Sequence, residues 1–221
     1  LALFGLLIMS QPDLGSTLVI GALVIAILFF AGISFLQFSL LILLMAALAI
    51  VAVYLEPYRY IRFISFTEPF ENFYGPGWQL SNALLGIGRG EWFGLGLGNS
   101  LQKNLYLPEP HTDFIFAVIV EEFGLVGGLI VIFLFALLIL GIIKTSIKAL
   151  ELGKLFQGLL AFGAGILIAI QVVFNIGVNL GILPTKGLTL PFISYGGTSL
   201  ILFMFLMGMV LRINFENKTI K

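Results

Sequence analysis

The chain has no cysteine, one histidine, and only 10% charged residues, with 11 Lys and Arg against 11 Asp and Glu. The lack of cysteine excludes disulfides, a thiolate nucleophile and cysteine-held metals, and a single histidine leaves no histidine-built metal site. A formal net charge of zero offers nothing to grip a phosphate backbone, so nucleic acid is not an expected partner. What the chain has instead is apolar sequence. It is 60% hydrophobic, with a mean hydropathy of +1.14, more than a water-soluble domain of 221 residues can bury. The bilayer must be its solvent. The expected fold is an all-α polytopic transmembrane helix bundle, because a helix satisfies its own backbone in lipid.

The sequence begins at Leu1 inside an apolar run without an initiator Met, so residues 1–9 read as the end of a span whose front part precedes this stretch. Gln11, Pro12 and Asp13 break that run: Pro removes a helix donor, and Asp13 suits an N-cap. About five further spans follow, over 14–31, 35–55, 113–143, 155–180 and 198–211. A helix needs roughly 20 residues to cross ~30 Å of hydrocarbon. The 113–143 stretch is too long for one perpendicular crossing, so it is either tilted or begins in the loop layer. A large polar loop over 56–112 and a smaller one over 182–197 separate the spans within a single membrane domain, 1–221. The large loop mixes charge with Tyr, Phe, Trp78 and Trp92, a composition suited to short helices at headgroup level. Lys144, Lys148 and Lys154 in one connection, and Arg212, Lys218 and Lys221 in the tail, are cytoplasmic by the positive-inside rule. Both polar loops and the 11–13 break then lie on the outer face.

Asp113 sits where the large loop turns into an apolar helix, two residues after the only histidine, His111. An ionisable carboxylate at the wet edge of lipid reads as a reactive group. Gln171, Asn175 and Asn179 fall at i, i+4 and i+8 and form one helical stripe, which either lines a wet cavity or hydrogen-bonds neighbouring helices. Glu121 lies nearer the face of Asp113 than Glu122 does, and is either a second polar group of a cavity or a glutamate that is neutralised or paired. The glycine-rich run 86–98 is not a nucleotide fold, since no strand precedes it; close backbone packing or a hinge at the membrane surface fits it. Lys186 is the only charge of the smaller loop, either a phosphate or headgroup ligand or a plain interfacial lysine.

Several long motifs occur in order: Gln11-Pro-Asp-Leu-Gly15, Gly96-Leu-Gly-Asn-Ser-Leu-Gln-Lys103, Tyr106-Leu-Pro-Glu-Pro-His-Thr-Asp-Phe-Ile-Phe-Ala117, Glu121-Glu-Phe-Gly124 and Leu183-Pro-Thr-Lys-Gly-Leu-Thr-Leu-Pro-Phe-Ile-Ser-Tyr-Gly-Gly197. Together they resemble the SEDS family, which polymerises bacterial cell-wall glycan, and the Pro-Thr-Lys-Gly loop resembles its division branch rather than its elongation branch. Pro110, Val120 and Phe123 depart from the family's usual run. Members have about ten spans, so this stretch corresponds to the part from the end of the fifth.

The resemblance implies a glycosyltransferase that joins lipid II units at the outer face of the bacterial cytoplasmic membrane, with Asp113 as general base. Lys186 is the leading cation for the leaving pyrophosphate, followed by Arg59, Arg62 and Lys103, and a divalent cation (Mg or Mn) could share that role. No other cofactor and no protein metal ligand is implied. Glu109 could raise the pKa of Asp113, and His111 orients the loop, hydrogen-bonds a sugar or is an interfacial loop histidine. Ser194, Asn175 and Asn179 are further expected substrate-site positions. The implied partners are lipid II, a class B penicillin-binding protein acting as transpeptidase, and other division proteins. A flippase or transporter of the same lipid, with Asp113 as a proton or ion site, and a non-catalytic division scaffold are the alternative functions.

Overall fold

In the computed structural model, residues 14–103 and 107–219 are described. The expected span end at 1–9, the break at Gln11, Pro12 and Asp13, the motif's first residue Tyr106, and Lys221 lie outside them. Among the described residues there are seven helices and no strand: α1 Leu14–Phe30, α2 Phe35–Tyr54, α3 Pro57–Thr67, α4 Trp78–Gly90, α5 Ile115–Glu151, α6 Leu155–Asn179 and α7 Gly197–Thr219. The all-helical expectation holds. Helices α2, α5, α6 and α7 are long and apolar enough to cross a membrane, and α1 is a shorter apolar helix.

The large loop is built around α3 and α4. Pro57 starts α3, where a missing N–H costs nothing. Its sequence, PYRYIRFISFT, alternates arginine with aromatic and aliphatic residues, and Tyr60, Ile61, Phe63 and Ile64 are exposed, as an interfacial helix requires. Helix α4 is anchored by buried Leu80, Ser81, Asn82 and Ala83. Ser81 Oγ donates to the Pro69 carbonyl at 2.7 Å, and Phe73 and Tyr74 pack near Trp78 with ring centroids 5.2 and 6.5 Å away.

Helix α5 is not one rod. Gly124 has φ 72 and ψ −174, a left-handed conformation that only glycine adopts without strain. The backbone of residues 91–96 enters this break. The Leu95 and Gly96 amides donate to the Glu121 and Glu122 carbonyls, both at 3.0 Å, while the Leu125 and Val126 amides donate to the Glu91 and Trp92 carbonyls at 2.8 and 3.2 Å. In an unbroken helix the amides of 125 and 126 would take the carbonyls of 121 and 122. The glycine-rich run therefore replaces the two lost helical bonds with four of its own. It can approach because Gly90, Gly94 and Gly124 have no side chain: a Cβ on any of them would overlap facing backbone.

The break also explains the excess length of this stretch. Residues 125–143 carry no charge, and at 1.5 Å per residue they span about 28 Å, close to one crossing of the hydrocarbon. The turns before Gly124 hold Glu121 and Glu122, so their sequence belongs with the loop layer.

Two compact units divide the residues. One comprises 53–135 and 171–196, with both polar loops; the other comprises 1–52, 136–170 and 197–221. Inside the second, Phe30 stacks on Phe162 with centroids 3.8 Å apart, and Ala149, Ala161 and Ile213 form a buried cluster. Its polar end is tied by side chains: Ser146 Oγ donates to Gly158 O, Gln157 and Arg212 both bond the Glu216 carboxylate, and Asn217 Nδ2 donates to Thr145 O. These bonds satisfy groups that lipid would leave without partners.

Candidate functional site

The site lies within the unit of residues 53–135 and 171–196, where the start of α5, the end of α6 and the 182–196 loop meet. Asp113 is half-buried just before α5, whose first residue is Ile115. Phe114, Phe116, Ala117 and Val118 are buried behind it, and a cluster with Ala83, Leu107 and Val178 holds the helix start in place.

Helix α6 presents Asn175 and Asn179 on one face, one turn apart, with 1% and 0% of their surface exposed. Both amides donate from Nδ2 to the Asp113 carbonyl at 2.9 Å. Asn175 Nδ2 also donates to Leu188 O at 2.7 Å, and Asn179 Oδ1 accepts from the Ala117 amide at 2.9 Å. The stripe is thus spent on backbone groups of both loops. Gln171, one turn earlier, keeps a buried Oε1 with no partner.

The smaller loop is fastened onto the larger at two more points and braced by one bond of its own. Ser194 Oγ donates to Thr112 O at 2.6 Å and accepts from the Leu190 amide at 2.7 Å, while the Tyr195 amide donates to His111 O at 2.8 Å. These contacts bring Gly187 against the Asp113 side chain: a Cβ there would stand 3.0 Å from Oδ2. Lys186, half-buried, is the next residue back along the chain.

Burial raises the pKa of Asp113 above its ordinary 3.8, and Glu109 raises it further, while the Arg62 guanidinium opposes both. Glu109 is exposed, has φ 53, and its carboxylate accepts from Thr112 Oγ1 at 3.1 Å. His111 is exposed beside it. Arg59 and Arg62 lie three residues apart on α3, which places them on one helical face.

Two expected groups have structural partners. Lys103 Nζ pairs with Glu122 Oε1 at 2.5 Å. Glu121 is wholly buried, and its carboxylate accepts from Ser100 Oγ, the Leu101 amide and the Gln102 amide, so it pins the 100–102 segment. That decides between the two readings of Glu121 in favour of a paired glutamate. Among the described residues no three His, Asp or Glu side chains form a set able to hold a metal ion.

The sequence alone did not point to Gly187, Leu188, Thr112 or Glu122. The first three act through backbone atoms or the lack of a side chain, which carry no residue-type signal. Glu122 stands 19 positions from its lysine, a separation with no local periodicity to reveal it.

A family model described as cell cycle protein, covering FtsW, RodA and SpoVE, matches residues 1–219. The chain is 48% identical over 221 residues to the "Probable peptidoglycan glycosyltransferase FtsW" of Pasteurella multocida, covering 100% of this chain and 56% of that protein. It is 49% identical over 218 residues to the protein of the same name from Marinomonas mediterranea, covering 98% and 53%. The chain spans about half the length of the curated relatives it matches. Among solved structures, it is similar to a chain described under "Structural coordination of polymerization and crosslinking by a peptidoglycan synthase complex", with a TM-score of 0.75, 29% identity, and coverage of 98% of this chain and 61% of that one. It is also similar to the rod shape determining protein RodA of Thermus thermophilus, solved as an aspartate-to-alanine mutant, with a TM-score of 0.62, 29% identity, and coverage of 97% and 54%.

Proposed function

Because this chain belongs to the FtsW, RodA and SpoVE family of cell cycle proteins, matched along residues 1–219, we propose that the full-length protein is a multi-pass membrane peptidoglycan glycosyltransferase of cell division. It polymerises lipid II into glycan at the outer face of the cytoplasmic membrane. The observation that carries this reading is Asp113: a half-buried carboxyl off the end of α5, with its pKa raised, beside Gly187 and within the field of Arg62.

The carboxylate takes the proton of an incoming saccharide hydroxyl as that oxygen bonds the anomeric carbon of a lipid-linked sugar. The bond from that carbon to the lipid pyrophosphate breaks, and the pyrophosphate leaves with the electron pair. A raised pKa brings the base closer to working pH, where general-base transfer is most effective. Lys186, Arg62 and Arg59 meet the charge that grows on the leaving group, and preorganised cations are the strongest electrostatic aid to such a step. Lys103 is a weaker candidate, being held by Glu122. His111 and Glu109, exposed on the same loop, are placed to meet the sugar; Ser194, Asn175 and Asn179 shape the site through the backbone bonds described above.

A class B penicillin-binding protein acting as transpeptidase is the proposed partner, together with other division proteins. The solved relative described as coordinating polymerization and crosslinking supports that pairing. The test is Asp113→Asn in the full-length protein, reconstituted in liposomes with lipid II. The expected result is loss of polymer, at least 100-fold in rate as general-base removal costs, with substrate binding retained. Unchanged polymer would reject the enzyme reading and leave a scaffold. Lipid scrambling without polymer in the parent protein would make it a transporter.

A further inference from the structure

Asn179 stands where a helical hydrogen bond should be. In a continuing α-helix the Ala117 amide would donate to the Asp113 carbonyl four residues back. Here the Ala117 amide donates to Asn179 Oδ1 at 2.9 Å, and the Asp113 carbonyl accepts from Asn179 Nδ2 at 2.9 Å. A side-chain amide offers the same donor and acceptor as a peptide group, so it fits between the two halves of that bond and keeps them apart. The next helical bond, Val118 N to Phe114 O at 3.3 Å, is in place, so the interruption falls on one bond.

We propose that Asn179 is a wedge that keeps Asp113 off helix α5, and that Asn175 yokes the Lys186 loop to it, so that these two buried amides position the base and the phosphate-binding lysine as one unit. This rests on the reading of Asp113 as the base. Without the wedge the Ala117 amide closes onto the Asp113 carbonyl, the helix gains residues at its start, and the carboxyl turns with the helix by ~100° per residue added. It then leaves its half-buried place beside Gly187, and with it the burial that is the largest cause of its raised pKa. Asn175 acts across the loops instead. Its Nδ2 donates to both Asp113 O and Leu188 O, at 2.9 and 2.7 Å, and Leu188 follows Lys186 and Gly187 directly.

Both asparagines are nearly free of solvent and all their amide hydrogens go to carbonyls, which marks them as positioning residues rather than groups that touch substrate. The charges that act on Asp113 are Glu109 on its own segment and Arg62 on α3; His111 stands two residues before it, Lys186 is next to the Gly187 that meets its carboxyl, and the two asparagines of α6 add no charge. The wedge therefore sets how strongly Glu109 and Arg62 act on Asp113, and a pH profile reports it.

The test is polymerisation by the full-length protein in liposomes containing lipid II, for Asn179→Ala, Asn179→Gln and Asn175→Asp, with kcat, KM and pH profiles measured for each. Asn179→Ala is expected to lower kcat at least 10-fold with KM within 3-fold, and to move the acidic limb of the profile down towards the ordinary carboxylate range. Asn179→Gln, which keeps the amide one methylene further out, is expected to recover part of both. Asn175→Asp, unable to donate, is expected to raise KM as well as lower kcat, because the Lys186 loop is released. Hydrogen exchange at the Ala117 amide separates misfolding from loss of the wedge: it should stay protected in Asn179→Ala, now by a helical bond. A folded Asn179→Ala with parental kcat and acidic limb would overturn the proposal, and so would a fall in kcat with an unmoved limb. Asp113→Asn in the same assay distinguishes the two readings: if it polymerises normally the base assignment fails, whereas an inactive Asp113→Asn beside a normal Asn179→Ala sinks the wedge alone.

Discussion

At the scale of the residue, the proposed chemistry rests on Asp113 and the two charges that act on it in opposite senses. Burial and Glu109 push its pKa up, and Arg62 pulls it down. The polymerisation rate should therefore fall as pH drops through a value above 3.8, with Glu109→Gln moving that acidic limb down and Arg62→Gln moving it up. The same shift has a sign for stability. Because folding raises this pKa, the protonated carboxyl favours the fold: the contribution is complete below 3.8 and is lost as pH rises through the raised value. Asp113→Asn, neutral at all pH, should thus melt above the parent at neutral pH while losing activity, and the difference should vanish in acid; thermal unfolding in detergent measures it. The location of Asp113 at a junction of loop and apolar helix was legible in sequence, but the partners of its carbonyl were not. Asn175 and Asn179 are 62 and 66 residues away, and a stripe of amides on a helix looks the same whether it faces a cavity or a backbone.

At the scale of the element, α5 and the 91–96 segment form one structure. The four backbone bonds across the break replace what Gly124 interrupts, and in an apolar setting each unmet backbone group costs several kcal/mol. Gly124→Ala should cost about 1–3 kcal/mol for its left-handed backbone alone, and more because its Cβ meets Trp92 and Phe93 backbone. Thermal unfolding of the purified full-length protein checks this, and a change within about 0.5 kcal/mol, the ordinary range of a neutral surface substitution, would contradict the role given to the break. The sequence pattern left close backbone packing or a hinge for the glycine-rich run, and the bonds to α5 select the packing. The pattern could not say against what, since Glu121 and Glu122 offer carbonyls to Leu95 and Gly96 that any residue type would offer equally. The Lys103–Glu122 pair has the same character, two ordinary charges whose meeting depends on the fold of the 100–103 segment.

At the scale of the whole molecule, the distribution of charge predicts orientation. Lys144, Lys148, Lys154, Arg212 and Lys218 fall in one compact unit, and the polar loops fall in the other. With the basic connections cytoplasmic, a cysteine in place of exposed Tyr74 should react with a membrane-impermeant maleimide in intact spheroplasts, and one in place of exposed Glu151 only after permeabilisation. This chain contributes no cysteine of its own to obscure the result. Labelling of both from outside, or of Glu151→Cys alone, would overturn the proposed outer-face site.

The sequence by itself determined the solvent, the all-helical class, the apolar stretches and the place of the acidic group just ahead of one of them, because hydropathy and helix length are properties of contiguous residues. Only the tertiary structure decided that Asn179 interrupts the Asp113 to Ala117 bond, that Gly187 lets the Lys186 loop reach the carboxyl, and that a glycine-rich run mends α5. Those contacts join backbone atoms far apart in the chain, and backbone atoms are alike at every position until the fold selects which of them meet.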